Sequence, residues 1–398
     1  MKIFGVSAKL SLTDSSSSLP GPVPPPPRPH PPPHHRDTHG PPSEDDADAR
    51  IRQLVHRVVR DRRCELHLEG ERFRALEMGR IFRCLRDIRV GGEGHCVVSL
   101  RLSGFINDGE MALQALTHAD LSSLPLKVFE FSESPALKRP TAVACLSSLV
   151  AAHLPPSIQS ILLQSCSLGA LKKMANDGSG GIDEWRHFVT TLAGKGTVRL
   201  LNVSANRLDK TMLRPLAEWV AMGEACTLEE LNLAQNALVD GSVGVLLDAL
   251  QAAQHNRLTI LELSENHLAS EGAQRLAAFL SSPSCHLQTL KLYRCGIDAD
   301  GLAAIARAVE RNTSLESLTA TANGHLSPLW IDRVGRKFLQ ALMRRCEAGC
   351  PLRVLALSVP EDQLKEAQEL FKQQTHTQAI LVPPTQHHIN NPTLVDCD

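Results

Sequence analysis

The residues that first invite a chemical reading lie between Ala175 and Arg186. Asp177, Gly180, Ile182 and Asp183 take the third, sixth, eighth and ninth places of a twelve-residue calcium loop. Its first place is Ala175 and its twelfth Arg186, where calcium needs an aspartate and a bidentate glutamate. With both outer carboxylates missing, most of the ligand charge is gone, and the segment reads as a glycine-rich loop. A phosphate cradle is also missing: Gly194-Lys195 is followed by glycine, not serine or threonine, and no glycine stands five residues upstream. Cys346 and Cys350 lack the second ligand pair a zinc site requires. His30, His34 and His35 offer at most an adventitious transition-metal site, and no spacing of serines and histidines nominates a triad. These residues predict a chain without cofactor, metal or catalysis.

The composition points the same way. Lys plus Arg number 42 against 43 Asp plus Glu, so no basic field draws in nucleic acid. Hydrophobic residues make up 42% but aromatics only 4%, which predicts a large core of small aliphatic side chains in thin layers. The eleven cysteines are scattered, and Met1 to Leu12 has only a short apolar patch interrupted by Lys9, with no clear cleavage site. Reduced thiols and a cytoplasmic or nuclear location follow as expectations. The sequons at Asn202 and Asn312 carry no meaning in that setting. No apolar run approaches the roughly 18 residues of a membrane span.

The elements come from an internal period. Four passages follow L-x-x-L-x-L-x-x-N-x-L: Val198, Leu201, Val203, Asn206, Leu208; Leu228, Leu231, Leu233, Asn236, Leu238; Leu258, Leu261, Leu263, Asn266, Leu268; and Leu287, Leu290, Leu292, Cys295, Ile297. An earlier copy reads Ile158, Ile161, Leu163, Cys166, Leu168. Fainter ones centre on Leu66/Leu68, Leu100/Leu102, Phe129/Phe131, Leu318/Ala320 and Leu355/Leu357. The steps from Leu201 to Leu231, Leu261, Leu290 and Leu318 are 30, 30, 29 and 28 residues. The L-x-L pair has the period of a strand, so both side chains enter the core. The asparagine stands where the chain turns, and its carboxamide can both donate to and accept from backbone groups of adjoining coils. Cys166 and Cys295 take the same place with a small, weakly polar thiol.

After each turn the apolar spacing becomes helical: Val243, Leu246, Leu247, Leu250; Ala273, Leu276, Ala277, Leu280; Leu302, Ile305, Ala306, Val309. Gly241, Gly272 and Gly301 lie near the helix starts. A helix is wider than a strand, so alternating the two bends the stack with its strands inside. Repeats of this length with the texture of Leu261 to Leu280 resemble the ribonuclease-inhibitor type of leucine-rich repeat. That class includes the repeat regions of NOD-like receptors and the Ran GTPase-activating proteins. The resemblance is clear from Ile158 to Val309 and extends from Cys64 to Leu370. It implies a right-handed α/β horseshoe of about ten repeats, with a parallel concave sheet and convex helices, that binds other macromolecules. NOD-like receptors also carry an ATPase module, so this chain corresponds at most to their sensor half.

The domain plan has three parts. Residues 1–48 form a disordered proline-rich arm around the run Pro24 to His35. Residues 49–375 form the repeat domain, capped by an amphipathic helix through Ile51, Leu54, Val55, Val58 and Val59 and closed by a helix through Leu364, Ala367, Leu370 and Phe371. Arg50, Arg57, Arg60, Arg62 and Arg63 lie on the outer face of the first cap. Residues 376–398 read as a flexible tail. Two repeats are over-long: Ile161 to Leu201 spans 40 residues, with the surplus around 176–182, and Leu318 to Leu355 spans 37, with the surplus around 324–334. Insertions of this kind fall in loops, either as tolerated drift or as functional additions.

In such a horseshoe the residues flanking the core leucines face the concave side. The columns read Asn202, Asn232, Glu262, Lys291, Thr319; Ser204, Ala234, Ser264, Tyr293, Thr321; Ala205, Gln235, Glu265, Arg294, Ala322; and Arg199, Glu229, Thr259, Gln288, Glu316. Asn232, Glu262, Glu265, Lys291, Tyr293 and Arg294 are the candidate protein-binding residues, since tyrosine and arginine most often dominate interfaces. The plainer alternative is a ladder of ion pairs, Glu262 with Lys291 and Glu265 with Arg294. The expected function is a non-catalytic scaffold or adaptor gripping a protein on this face. A proline-recognition domain could dock on the arm, although neither R-x-x-P-x-x-P nor P-x-x-P-x-R is met around Arg28. The alternative is a small-GTPase regulator like the Ran GTPase-activating proteins, but no arginine can be assigned their catalytic role, and the C-terminal end has only Asp396 and Asp398.

Overall fold

Each L-x-L pair forms a short strand, and a computed structural model of the chain stacks these strands in sequence order. It describes residues 49–383 other than 55, 58–64, 71–74, 91–96, 120, 174–179, 254, 324–328 and 373–375. The strands are β1 Glu65–Glu69, β2 Ser99–Ser103, β3 Val128–Ser132, β4 Ser160–Leu162, β5 Leu200–Asn202 and β6 Glu230–Asn232. Then come β7 Ile260–Glu262, β8 Thr289–Lys291, β9 Ser317–Ala320, β10 Val354–Ser358 and β11 Gln378–Val382. All are parallel, in one open sheet whose spatial order is the chain order. The repeat leucines stay in register, Leu201 beside Leu231, Leu261, Leu290 and Leu318, and all five are 0% exposed. The fold is the α/β horseshoe expected.

Helices Lys210–Val220, Asp240–Ala252, Ala269–Leu280 and Ala299–Arg311 return the chain on the other side of the core. The residues at helical spacing, from Val243 through Val309, are buried. Close packing between successive helices explains two of the glycines. A Cβ at Gly272 would stand 2.6 Å from Asp240 Oδ1, and one at Gly301 would stand 2.9 Å from the Ala273 Cβ.

The turning asparagines carry the polar contacts. Asn206 Nδ2 donates to Leu163 O at 2.6 Å, while its Oδ1 accepts from the Cys166 amide at 2.8 Å. Asn236 Nδ2 donates to Val203 O at 3.1 Å and Leu233 O at 2.9 Å; its Oδ1 accepts from the amides of Asn206 at 3.1 Å and Leu208 at 2.9 Å. Asn266 and Asn323 repeat the arrangement, and every one of these amides ties its own coil to the coil before it. The thiols replace only half of it. Cys166 Sγ donates to Phe131 O at 2.9 Å and Cys295 Sγ to Leu263 O at 3.3 Å. At Cys295 the missing acceptor is made good by its own carbonyl, which takes the Leu268 amide at 2.9 Å. Ser134, in the same place one coil before Cys166, donates to Phe105 O at 2.6 Å.

The C-terminal end differs from expectation. The residues of the proline arm lie outside those described. A helical segment at 49–54 buries Ile51, and Arg50 of the same segment pairs with Glu77 at 3.1 Å. The flexible tail expected at 376–398 is corrected in its first part, since Gln378–Val382 is β11, paired along its whole length with β10, while residues 384–398 lie outside those described. Ala379 and Leu381 pack against the core beside Leu355 and Leu357, so this strand covers a coil that the closing helix Leu364–Phe371 leaves open.

Of the two surpluses, 176–179 and 324–328 lie outside the described residues, and the described remainder of each leads into a helix. Gly180–Lys195 is a helix of 16 residues that buries Trp185 against Phe188, ring centroids 5.6 Å apart. Its last residue, Lys195, donates through Nζ to Val150 O at 2.9 Å and Leu154 O at 2.7 Å, capping the preceding repeat. In the second, a wide turn at Ile331–Gly335 leads into helix Arg336–Glu347, with Trp330 buried over Gly335.

Two outcomes follow. Asn236→Ala strands two amides and the Val203 carbonyl in a buried site, Leu233 O keeping its bond from Asn266 Nδ2, and is expected to cost about 2–4 kcal/mol in denaturant unfolding, at roughly 1–3 kcal/mol per orphaned group before relaxation. Asn236→Cys, which keeps a donor, is expected to lose less. The second concerns thiols. Burial pushes Cys166 and Cys295 up to about 12. Alkylation of the native chain at pH 8, read by peptide mass mapping, should label exposed Cys346 and spare both until the chain unfolds.

Candidate interaction surface

In a pleated strand the residues between core positions face the open side, and neighbouring strands repeat them about 4.8 Å apart. The register places Asn202 beside Asn232, Asn232 beside Glu262, Glu262 beside Lys291 and Lys291 beside Thr319, the column read from the sequence. Asn232, Glu262, Glu265, Lys291 and Tyr293 converge on a hollow of about 310 Å³ in the concave sheet. Arg294 stands at its edge, its side chain 54% exposed.

Several of these residues hold the backbone as well. Asn202 Oδ1 accepts from the Ser204 amide at 2.9 Å, Asn232 Oδ1 from the Ala234 amide at 3.0 Å, and Glu262 Oε1 from the Ser264 amide at 3.1 Å. The same bond in three successive coils closes the end of each strand. Glu262 also faces Lys291 Nζ at 3.4 Å, with only 11% of its side chain exposed. Glu265 accepts from Gln235 Nε2 at 2.9 Å and lies 3.9 Å from Arg294 Nη1. Both ion pairs expected from the sequence therefore form. The second is long and open to water, of the kind that contributes about 0–1 kcal/mol. Tyr293 binds through its amide, which donates to Ser264 Oγ at 2.9 Å, while its phenol makes no hydrogen bond among the described residues.

Glu265 and Arg294 have left-handed backbones, φ 56° and 50°. Such strain at one place would suggest function, at about 1–2 kcal/mol for a non-glycine residue. Here Glu133, Ser165, Ala205, Gln235 and Ala322 share the conformation at the same point of their coils. The bend is therefore architectural, and it aims these side chains along the sheet rim.

One residue of this face escapes the four columns read from the sequence. Glu230 lies between Leu200 on one side and Ile260 on the other, all three half-buried. It makes no ion pair or side-chain hydrogen bond among the described residues. Burial raises its carboxyl above the usual glutamate range; Lys291 opposes the rise and Glu262 adds to it. The signal was present in the repeat: Glu230 is the residue just before the first core leucine of its strand, a place held by Leu200 and Ile260 in the flanking copies.

Because the folded pKa is raised, folding is favoured with Glu230 protonated, and that contribution is lost as pH rises through the folded value. Glu230→Gln is accordingly expected to raise the denaturation midpoint at pH 7. The gain over wild type should shrink as the pH is lowered below the ordinary glutamate range, which paired unfolding curves would read.

Comparison with known proteins supports the fold's class. A family model described as "Leucine Rich repeat" matches residues 254–277 and 284–306. The chain is 28% identical over 202 residues to the NACHT, LRR and PYD domains-containing protein 5 of Mus musculus, covering 51% of this chain and 16% of that one. It is 31% identical over 167 residues to the ribonuclease inhibitor of Sus scrofa, covering 42% of this chain and 33% of the inhibitor. The match thus spans a third or less of either relative's length. Among solved structures, the tropomodulin C-terminal domain of Caenorhabditis elegans aligns with a TM-score of 0.29 at 12% identity, over 52% of this chain and 97% of that one.

Proposed function

For a chain built of leucine-rich repeats of the ribonuclease-inhibitor type, we propose a non-catalytic scaffold or adaptor that grips a protein partner on its concave sheet. The observation that supports this reading is the hollow in that sheet. It collects a tyrosine whose phenol makes no hydrogen bond among the described residues, a lysine and further polar side chains, Asn232, Glu262 and Glu265 among them, on a rigid parallel frame. A rigid frame loses little conformational entropy on binding, so a modest set of contacts goes further toward affinity. Repeat proteins in general bind along this curved face.

No helix among the described residues is long and apolar enough to cross a membrane. On its composition alone, the proline run of the first 48 residues is proposed as a second docking element, for a proline-recognition domain.

Affinity purification from native cells with mass spectrometry identifies the partner. Tyr293→Ala combined with Arg294→Ala is then expected to abolish its capture while leaving the melting curve almost intact, because neither side chain is buried in the core. Unchanged capture sinks the reading. Single-turnover GTP hydrolysis with candidate small GTPases should show no acceleration by the chain; acceleration would favour GTPase regulation instead.

A further inference from the structure

The concave sheet contains a half-buried charge with no side-chain partner among the described residues. Glu230 faces the open side between Leu200 and Ile260, without an ion pair or side-chain hydrogen bond among the described residues. The cation that acts on it is Lys291, two strands away, which is already paired at 3.4 Å with the sheltered Glu262. Among the described residues neither neighbouring carboxamide donates to it: the side-chain bonds of Asn202 and Asn232 run through their oxygens, which accept from the backbone of their own coils.

We infer that Glu230 receives an arginine side chain of the protein partner, its carbon stem laid against Leu200 and Ile260 and its guanidinium paired with the Glu230 carboxylate. This deepens the concave-face reading and rests on it. Three features fit that occupant. Leu200, Glu230 and Ile260 lie across three strands, so the apolar flanks are about 10 Å apart with the carboxylate between them, a span suited to a long side chain with an apolar stem and a charged head. A guanidinium is more weakly hydrated than an ammonium and meets a carboxylate with two parallel donors, so it suits a half-buried acid better than lysine does. The negative charge, moreover, exceeds what Lys291 can offset: Glu230 and Glu262 are both within its reach, and only Glu262 is in contact with it. A partner's cation removes an unfavourable charge rather than competing with an existing pair.

The test uses the full chain labelled with 13C at the glutamate δ carbons, with the Glu230 resonance assigned by its absence in Glu230→Gln. N-acetyl-arginine amide and its uncharged isostere N-acetyl-citrulline amide are titrated in parallel and followed by NMR. The arginine compound is expected to shift the Glu230 resonance saturably and move its titration midpoint downward, and the citrulline compound to do neither. Equal responses to the two compounds overturn the inference, as does an arginine response centred on other glutamates that persists in Glu230→Gln. With the partner in hand, Glu230→Gln should weaken its capture at least tenfold while the folded chain is no less stable. The two readings separate cleanly. Loss of capture in the Tyr293/Arg294 variant with a silent Glu230 leaves the concave face standing and removes the arginine. An arginine response at Glu230 with capture intact in that variant keeps the arginine receptor and rejects Tyr293 and Arg294 as its neighbours in the interface.

Discussion

Every coil of this chain must leave the sheet and turn while its backbone amides are shut away from water, and one side chain per coil meets that demand. In the middle repeats it is an asparagine, whose carboxamide donates backward to a carbonyl of the preceding coil and accepts that coil's amides. The bond network runs between coils, so each coil is completed only by the next. Removing such a group would orphan several buried partners at once, each at about 1–3 kcal/mol. The strand register, the left-handed residue before each turn and the spacing of the helices behind all follow from keeping that contact in place. Where thiols stand in for the carboxamide, the donor is kept and the acceptor is found elsewhere, as with the Cys295 carbonyl.

This regularity assigns side chains to tasks. Core leucines and turning asparagines are used up by the stack. On the concave face the residue between the two core positions is partly used as well: Asn202, Asn232 and Glu262 accept the amide two residues on in their own coils. A substitution at Asn232 or Glu262 therefore disturbs the frame along with any contact. Tyr293, Arg294 and Glu230 are free of such duties, and on the proposed reading the specificity of the surface comes from positions like these.

Much of the fold was legible in the sequence because a period of 28 to 30 residues is a stronger signal than any single propensity. The strand register and the concave columns followed from it directly. What it could not convey lies where the period breaks. Gln378–Val382 has a core alanine where other copies have leucine, and two prolines follow it, so it read as tail although it completes the sheet. Beside the surplus of the first long repeat and within that of the second stand Trp185 and Trp330, both buried on helical segments that the period does not announce. Of the surface, Glu262–Lys291 and Glu265–Arg294 were readable as pairs, since both lie one repeat apart in register. Glu230 was not, because a charge looks ordinary until its neighbours in space, Leu200 and Ile260, are known to be apolar.

That contrast bears on how binding and stability divide in a stacked fold. A solenoid's stability is a sum over coils and their neighbours, so one unfavourable residue in the middle weakens its own coil without dissolving the rest. Two mid-stack neighbours, β5 and β7, place Leu200 and Ile260 at the register where β6 places Glu230. An aliphatic residue there would pack with both and leave no half-buried charge, so the carboxylate is a local loss that the frame tolerates. Ion pairs within the sheet, by contrast, neutralise their own partners and leave little for a ligand to gain. On the reading proposed above, Glu230 therefore adds to Tyr293 and Arg294 a charge that a partner, rather than the fold, is left to answer.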